Sequence, residues 1–255
     1  MNRLAALVSI VTVFVALPLS AIEVADFRFE DTLSSSVPGA PNLGSLGGGG
    51  FVDTTVDATS VRGWAFPTAT GLDLDVTGMV SSDVYSVVML FEAQQVVGYA
   101  KLLDTQDRAI DQGLYYVGND LHFYGGTGGS SDGIVAGTYY QVVVTRDIAG
   151  NYIGYVDGAQ EFSFTDSSSY AVITAANRLV FFRDDLSTGD GENTAGTVVR
   201  IRLFDNALSP GEVAALDRLP APLVAVDVPA LGRTGILTLV ALMAVAALAV
   251  LRRQS

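Results

Sequence analysis

The chain contains no cysteine, so its 255 residues form neither disulfides nor thiolate metal sites. Histidine occurs once, at His122, and tryptophan once, at Trp64. That removes the histidine clusters of zinc sites and makes any Ser-His-Asp arrangement depend on a single ring, which reads more simply as an ordinary sheet-face histidine. Basic residues are scarce. All 27 acidic residues lie between Ile22 and Asp227, with ten of the 14 Lys and Arg, so that stretch carries a formal charge of −17. Such a surface repels nucleic-acid phosphates and anionic lipid headgroups, which excludes nucleic acid as a partner. Helix-favouring Glu is also rare, because 21 of the acids are Asp, the residue of turns and of oxygen-ligand cation sites.

Along the body, short apolar stretches alternate with polar turns. Residues 22–30, 61–66, 72–76, 84–91, 97–103, 113–117, 121–124, 139–146, 152–156, 162–164, 179–183 and 197–205 read as strands. Residues 34–50, ending in four glycines, read as a flexible loop that lacks the lysine and following helix of a phosphate loop. The stretch 84–91 is apolar almost throughout, as a strand buried on both faces should be. In 197–205, Val199, Ile201 and Leu203 alternate with Arg200 and Arg202, which predicts one wet face. The polar run 147–151 and Asp157-Gly158 predict two successive reversals. Ser209, Pro210 and Glu212 have the spacing of a capping box with proline at the first helical position, so a helix is expected over 210–219. The whole predicts an all-β, two-sheet antiparallel β-sandwich over residues 22–219, with one short C-terminal helix, rather than alternating βαβ units.

The two ends are hydrophobic. Arg3, an apolar run over 4–17, Pro18 and the small Ser20 and Ala21 have the order of a secretory signal peptide over 1–21, cut by signal peptidase after Ala21. Pro220 and Pro222 stop the helix and open a linker over 220–227. Beyond it, residues 236–251 form an uncharged 16-residue run ending in Arg252 and Arg253, which predicts a transmembrane helix retained by its basic end.

Two resemblances follow from the ordered motifs. Residues 141–164 (QVVVTRDIAGNYIGYVDGAQEFSF), with RLVFFRDD and VVRIRLFDNALSPGEV after them and residues 96–124 before them, resemble the laminin-G-like, concanavalin-A-like sandwich domains of secreted bacterial proteins. The resemblance implies a jelly roll that binds carbohydrate, protein or calcium, often without catalysis. Sandwich glycosidases of this architecture share a Glu-x-Asp-x-x-Glu strand motif, and no glutamate here is followed by aspartate two positions on. At the C-terminus, Val228, Pro229, Ala230, Leu231, Gly232 and Gly235, followed by the span and by Arg252 and Arg253, resemble an exosortase-recognised sorting tail of the Ile-Pro-Thr-Leu variety over 228–255. The departures are Val228, Ala230 and Thr234. That resemblance implies an exosortase-type processing enzyme as a partner, membrane attachment through the tail, and a cell-surface or extracellular-matrix destination.

Asp184, Asp185, Asp190, Glu192 and Asn193 supply side-chain oxygens within one loop, the donor chemistry of a hard cation such as calcium. In the resembled family the paired aspartates after the Phe-Phe strand and the acid before the next strand recur, matching Asp184, Asp185 and Glu192. A solvated acidic turn reads equally well from the residues alone. Trp64, Tyr115, Tyr116, Tyr124, Tyr139 and Tyr140 are the aromatic candidates for a sugar platform, with the lone Trp64 expected in the core. The expected function is calcium-supported recognition of cell-surface or matrix polysaccharide by a secreted, surface-sorted, non-enzymatic module. A structural or adhesive surface protein with a protein partner is the alternative, and a glycan hydrolase or lyase stands behind both.

Overall fold

The computed structural model describes residues 20–129 and 133–220. The expected leader, apart from Ser20 and Ala21, and the expected sorting tail lie outside the described residues. In chain order the strands are β1 (Glu23–Phe27), β2 (Gly44–Leu46), β3 (Gly50–Val56), β4 (Thr59–Phe66), β5 (Gly71–Asp75), β6 (Tyr85–Ala93) and β7 (Tyr99–Asp104). They continue with β8 (Gly113–Val117), β9 (Asp120–Tyr124), β10 (Tyr140–Arg146), β11 (Asn151–Val156), β12 (Ala159–Thr165), β13 (Arg178–Phe181) and β14 (Gly196–Phe204), before helix α1 (Pro210–Ala214). One sheet runs β12-β11-β10-β6-β14-β4-β3, with β1 also paired to β14, and the other runs β2-β5-β13-β7-β8-β9. All the pairings are antiparallel, so the architecture is the expected two-sheet sandwich. No helix among the described residues is long and apolar enough to cross a membrane.

The core lies between the sheets, where Phe27, Leu74, Met89, Phe123, Tyr152 and Ile201 are among its fully buried members. Strand β6 is central and buried at every position except Glu92, as its continuous apolar sequence predicts. Asp157-Gly158 closes the β11–β12 hairpin with both residues at positive φ, the two-residue turn that matches strand twist.

Three expectations are corrected. The glycine-rich loop contains β2 and leads directly into β3, which pairs with β4 across a two-residue turn at Asp57-Ala58. That turn also has both residues at positive φ, but it carries alanine where glycine would have announced it. Strand β14 has no wet face: Arg200 and Arg202 are 4% and 9% exposed. Helix α1 and the chain after it cover that side, packing Leu208, Val213 and Leu216 on Val88, Val143, Tyr155 and Phe204. Finally, the helix has the expected capping box of Ser209 and Glu212 but ends at Ala214 rather than at residue 219. Beyond it Asp217 turns to the guanidinium groups of Arg200 and Arg202, and Arg218 to Asp57 and Asp157.

The first strand is tied in by charge. Asp26, fully buried, accepts from Arg200 Nε at 2.8 Å, from Arg200 Nη2 at 3.1 Å and from Arg28 Nε at 2.7 Å. Burial alone would raise the Asp26 carboxyl, but hydrogen bonds from and attraction to Arg200 and Arg28 outweigh it and hold it below the usual carboxylate range. A carboxyl depressed in the folded state stabilises above its unfolded value near 3.9, and that stability disappears as pH falls through the folded value. Asp26→Asn is therefore expected to lower the melting temperature by roughly 10 °C at pH 7, the scale of breaking a buried pair in a domain of this size. The gap between variant and wild type should narrow below about pH 4, and melting curves across that range provide the check.

Candidate functional site

The acidic loop is positioned by an unusual backbone. Phe182, directly after β13, sits at φ +61, a region that bulky side chains rarely occupy. Its ring is held in place by stacking on Phe66 at 4.4 Å between centroids and by Phe91 at 5.3 Å. The chain then carries Asp184 and Asp185 inward over β7 and β8, and both are fully buried.

What they meet there is Lys101 of β7, the one lysine in the sequence and itself only 1% exposed. Its Nζ lies 3.1 Å from Asp185 Oδ2, 3.2 Å from Asp104 Oδ2 and 3.7 Å from Asp184 Oδ1, and donates to the Ile110 carbonyl at 3.3 Å. It also stands 5.0 Å over the Tyr115 ring. The Tyr115 hydroxyl lies 2.7 Å from the Asp111 carbonyl oxygen, 3.0 Å from Asp111 Oδ1 and 3.3 Å from Asp184 Oδ1. Carboxylate oxygens of Asp111, Asp184 and Asp185 come within 4.8 Å of one another, an arrangement with the capacity to hold a metal ion.

Three buried carboxylates around one buried ammonium leave two negative charges uncompensated, so the cluster relaxes by proton uptake or by attracting a cation. Burial pushes Asp184 up, with the neighbouring Asp185 carboxylate adding to the shift against backbone hydrogen bonds and Lys101. Burial opposes ionisation of Asp185 as well, but hydrogen bonds from Ser187 and Thr188 and the charge of Lys101 hold it well below the ordinary range. Within this pair the surroundings therefore favour the ionised form of Asp185 and the protonated form of Asp184. Tyr115 is pushed far upward by burial and by the charges of Asp184 and Asp111, so its hydroxyl remains a donor.

Of the five loop oxygens proposed from sequence, the fold separates two. Asp190 pairs with Arg183 at 2.7 Å and with Arg108 at 2.9 Å, and Asn193 accepts from the Ala69 amide at 2.6 Å and donates to the Asp190 carbonyl. Glu192 borders the cluster. Its amide donates to Asp184 Oδ2 at 2.9 Å, and its carboxyl is raised by burial and then by the charges of Asp111, Asp184 and Asp185. Lys101, Asp104 and Asp111 were not legible as partners, because they lie on β7 and the loop after it, some 70–80 residues away in sequence. The solitary lysine was the available signal.

Beside the cluster, the outward face of β7, β8 and β9 carries an aromatic platform. Leu114, Tyr116, Leu121 and Phe123 point into the core, so the alternating Tyr115, His122 and Tyr124 face outward. Tyr99 and Tyr124 are 41% and 37% exposed, with ring centroids 6.2 Å apart and planes at 87°. Both lie edge-on to Tyr115, at 6.0 and 6.3 Å. Of the aromatic candidates from sequence, Tyr115, Tyr116 and Trp64 are buried and Tyr139 and Tyr140 half-buried, leaving Tyr124 exposed. Tyr99, at the start of β7, joins it. A separate recess of about 550 Å³, between Phe51, Pro67 and Gln94, is lined by no ionisable side chain.

The fold is thus an antiparallel two-sheet sandwich with an ordered acidic cluster and an exposed tyrosine pair on one sheet. The family model for the concanavalin A-like lectin/glucanases superfamily matches residues 67–214, and the chain belongs to that family. Domain 4 of the extracellular arabinanase AbnA from Geobacillus stearothermophilus, solved with arabinotriose, shares the fold at 21% identity and a TM-score of 0.60, covering 77% of this chain and 98% of that domain. The binding domain of Paraclostridial Mosquitocidal Protein 1 matches at 12% identity and a TM-score of 0.57 over 76% of this chain and 51% of its own. The botulinum neurotoxin DC binding domain, solved with rat synaptotagmin II, matches at 11% and 0.54, over 76% and 50%. A search of curated proteins returns no match.

Lys101→Met is expected to lower the melting temperature by roughly 10 °C, since losing one partner of a buried pair costs about 3–5 kcal/mol. Adding Asp104→Asn should recover part of that loss by removing one of the orphaned charges. Thermal unfolding of both variants beside the wild type gives the answer, and equal losses would show that the ammonium does not organise the carboxylates.

Proposed function

We propose that the protein is a secreted, surface-sorted binding module that recognises cell-surface or matrix polysaccharide, supported by calcium and without catalysis. The observation that carries this reading is the exposed pair Tyr99 and Tyr124 seated on Tyr115, whose hydroxyl reaches the acidic cluster. Pyranose and furanose rings bind by laying apolar C–H faces on aromatic rings while nearby polar groups take their hydroxyls. The arabinotriose complex of the arabinanase domain supports a sugar as the ligand class. The missing Glu-x-Asp-x-x-Glu motif supports binding without hydrolysis.

Calcium fits the donor set on its open side. Asp111 and Glu192 are half-exposed, and the buried carboxylates behind them are under-compensated by Lys101. Asp111, Asp184 and Asp185 would hold the ion with Glu192 bordering it, and bound calcium would supply the charge that Lys101 alone does not. The synaptotagmin complex of the neurotoxin domain supports a second reading, an adhesive role with a protein partner. The tail motif from Val228 to Gly235 and the basic Arg252 and Arg253 support delivery to the surface through exosortase-type processing, which mass spectrometry checks by the absence of a chain ending at Ser255.

Titration of the mature protein against exopolysaccharide tests the main reading. Tyr99→Ala and Tyr124→Ala should each weaken binding roughly 30-fold, the loss of a contact worth about 2 kcal/mol, while lowering the melting temperature by only a few degrees for the lost ring packing. Unchanged affinity in both would move the bet to the protein-adhesion reading. Millimolar calcium should raise the melting temperature of wild type but not of Asp111→Asn. Because protonation of the raised Asp184 competes with the cation, that gain should fade as pH falls, and a calcium effect that grows on acidification would contradict the assignment.

A further inference from the structure

Residue 22 is clamped from both sides by one carboxyl-bearing residue. The Ile22 amide nitrogen lies 2.7 Å from Asp205 Oδ1, and the Asp205 amide donates back to the Ile22 carbonyl at 3.0 Å. One residue earlier, Ser20 Oγ donates to Glu212 Oε1 at 3.0 Å, and the Ala21 amide also reaches Glu212. Among the described residues neither Asp205 nor Glu212 pairs with a lysine or arginine. Nearby cations are already engaged: Arg202 holds Glu23 and Asp217, and Arg200 holds Asp26 and Asp217. A neutral amide therefore faces an uncompensated carboxylate at the position where a leader of the observed composition ends.

The geometry points to a charged chain terminus as the partner of Asp205: hydrolysis of the Ala21–Ile22 bond leaves an α-ammonium on Ile22 that pairs with the Asp205 carboxylate and fixes β1 against β14. Water supplies the hydroxyl to the Ala21 carbonyl carbon, giving a carboxylate on the departing leader, and protons pass to the Ile22 nitrogen. The enzyme is a signal peptidase acting on the chain before it folds. The inference rests on the secreted reading above, but the ion pair is a separate claim with its own readout.

A carboxylate within ion-pair distance raises an α-amine above its ordinary value of about 7.7–8.0. The Ile22 nitrogen contacts Asp205 after β14, while Glu212 on α1 is reached by Ser20 and Ala21 just before it and Glu23 just after it is paired with Arg202, so the local balance favours the ammonium. An amine raised by folding stabilises fully below its unfolded value, and that stability is lost as pH rises through the folded value. The pair should thus act at neutral pH and fade in alkali.

The test begins with full-length protein expressed with its leader in a Gram-negative host. Mass spectrometry of the exported product should give Ile22 as the first residue. An intact Met1 chain would overturn the secreted reading together with the inference, whereas a start at Ser20, Ala21 or beyond Ile22 would overturn the cleavage site and the ion pair but leave the secreted reading standing. In the processed protein Asp205→Asn should lower the melting temperature by roughly 2–4 °C at pH 7, with the loss shrinking by pH 10. A loss equal at both pH values would identify an uncharged hydrogen bond and overturn the ion pair. Should the variant fold poorly, the wild type still decides. Lys101 is the one other primary amine in the processed chain and is buried, so the pH dependence of acylation by an amine-selective reagent reports on Ile22. An apparent α-amine value above about 8 supports the pair, and one at or below the ordinary value overturns it.

Discussion

The ammonium of Lys101 is the charge around which the acidic end of the molecule is arranged. Without it, Asp104, Asp184 and Asp185 would bring three carboxylates into a space that water does not reach, and the loop after β13 could not close over β7 and β8. Its presence explains why the loop is ordered by the protein itself. Ser187, Thr188 and the Glu192 amide donate to further oxygens of Asp185 and Asp184, so the loop is held by the protein's own hydrogen bonds as well as by the ammonium. The compensation is incomplete by design of the count, and that imbalance reaches the surface at Asp111 and Glu192.

The same cluster connects the buried charges to the aromatic face of the sheet. Tyr115 has its ring under the ammonium, its hydroxyl on Asp111 and Asp184, and its edge against Tyr99 and Tyr124. Electrostatic order and aromatic packing therefore meet in one side chain, whose own ionisation is suppressed by burial.

Much of the architecture was legible because alternation, turn residues and the capping box are local signals. Gly113–Val117 and the Asp157-Gly158 reversal show it at its best. The features that escaped were made by distance. Arg200 and Arg202 looked like a solvent-facing row until the segment carrying Asp217 folded over them. Asp57-Ala58 hid a hairpin because alanine pays the positive φ that glycine would have advertised. In the site, Asp184 and Asp185 stood out as a pair, but Lys101 and Asp111 belong to strand pairings and loop closures that no local pattern encodes. Tyr99 escaped for a similar reason, since its exposure follows from which neighbours flank β7.

The eight-stranded sheet ends at β12 and β3, and neither edge is an apolar template. Strand β12 turns Gln160, Ser163 and Thr165 outward, while β3 exposes Asp53 and Thr55, with Asp53 tethered to Arg62. Polar, charged borders of this kind discourage a neighbouring copy from adding its own strand. At these two borders a second copy of the domain meets hydroxyls, amides and a carboxylate where strand addition would need a dry apolar edge, so this sheet is closed to growth at both ends of its path.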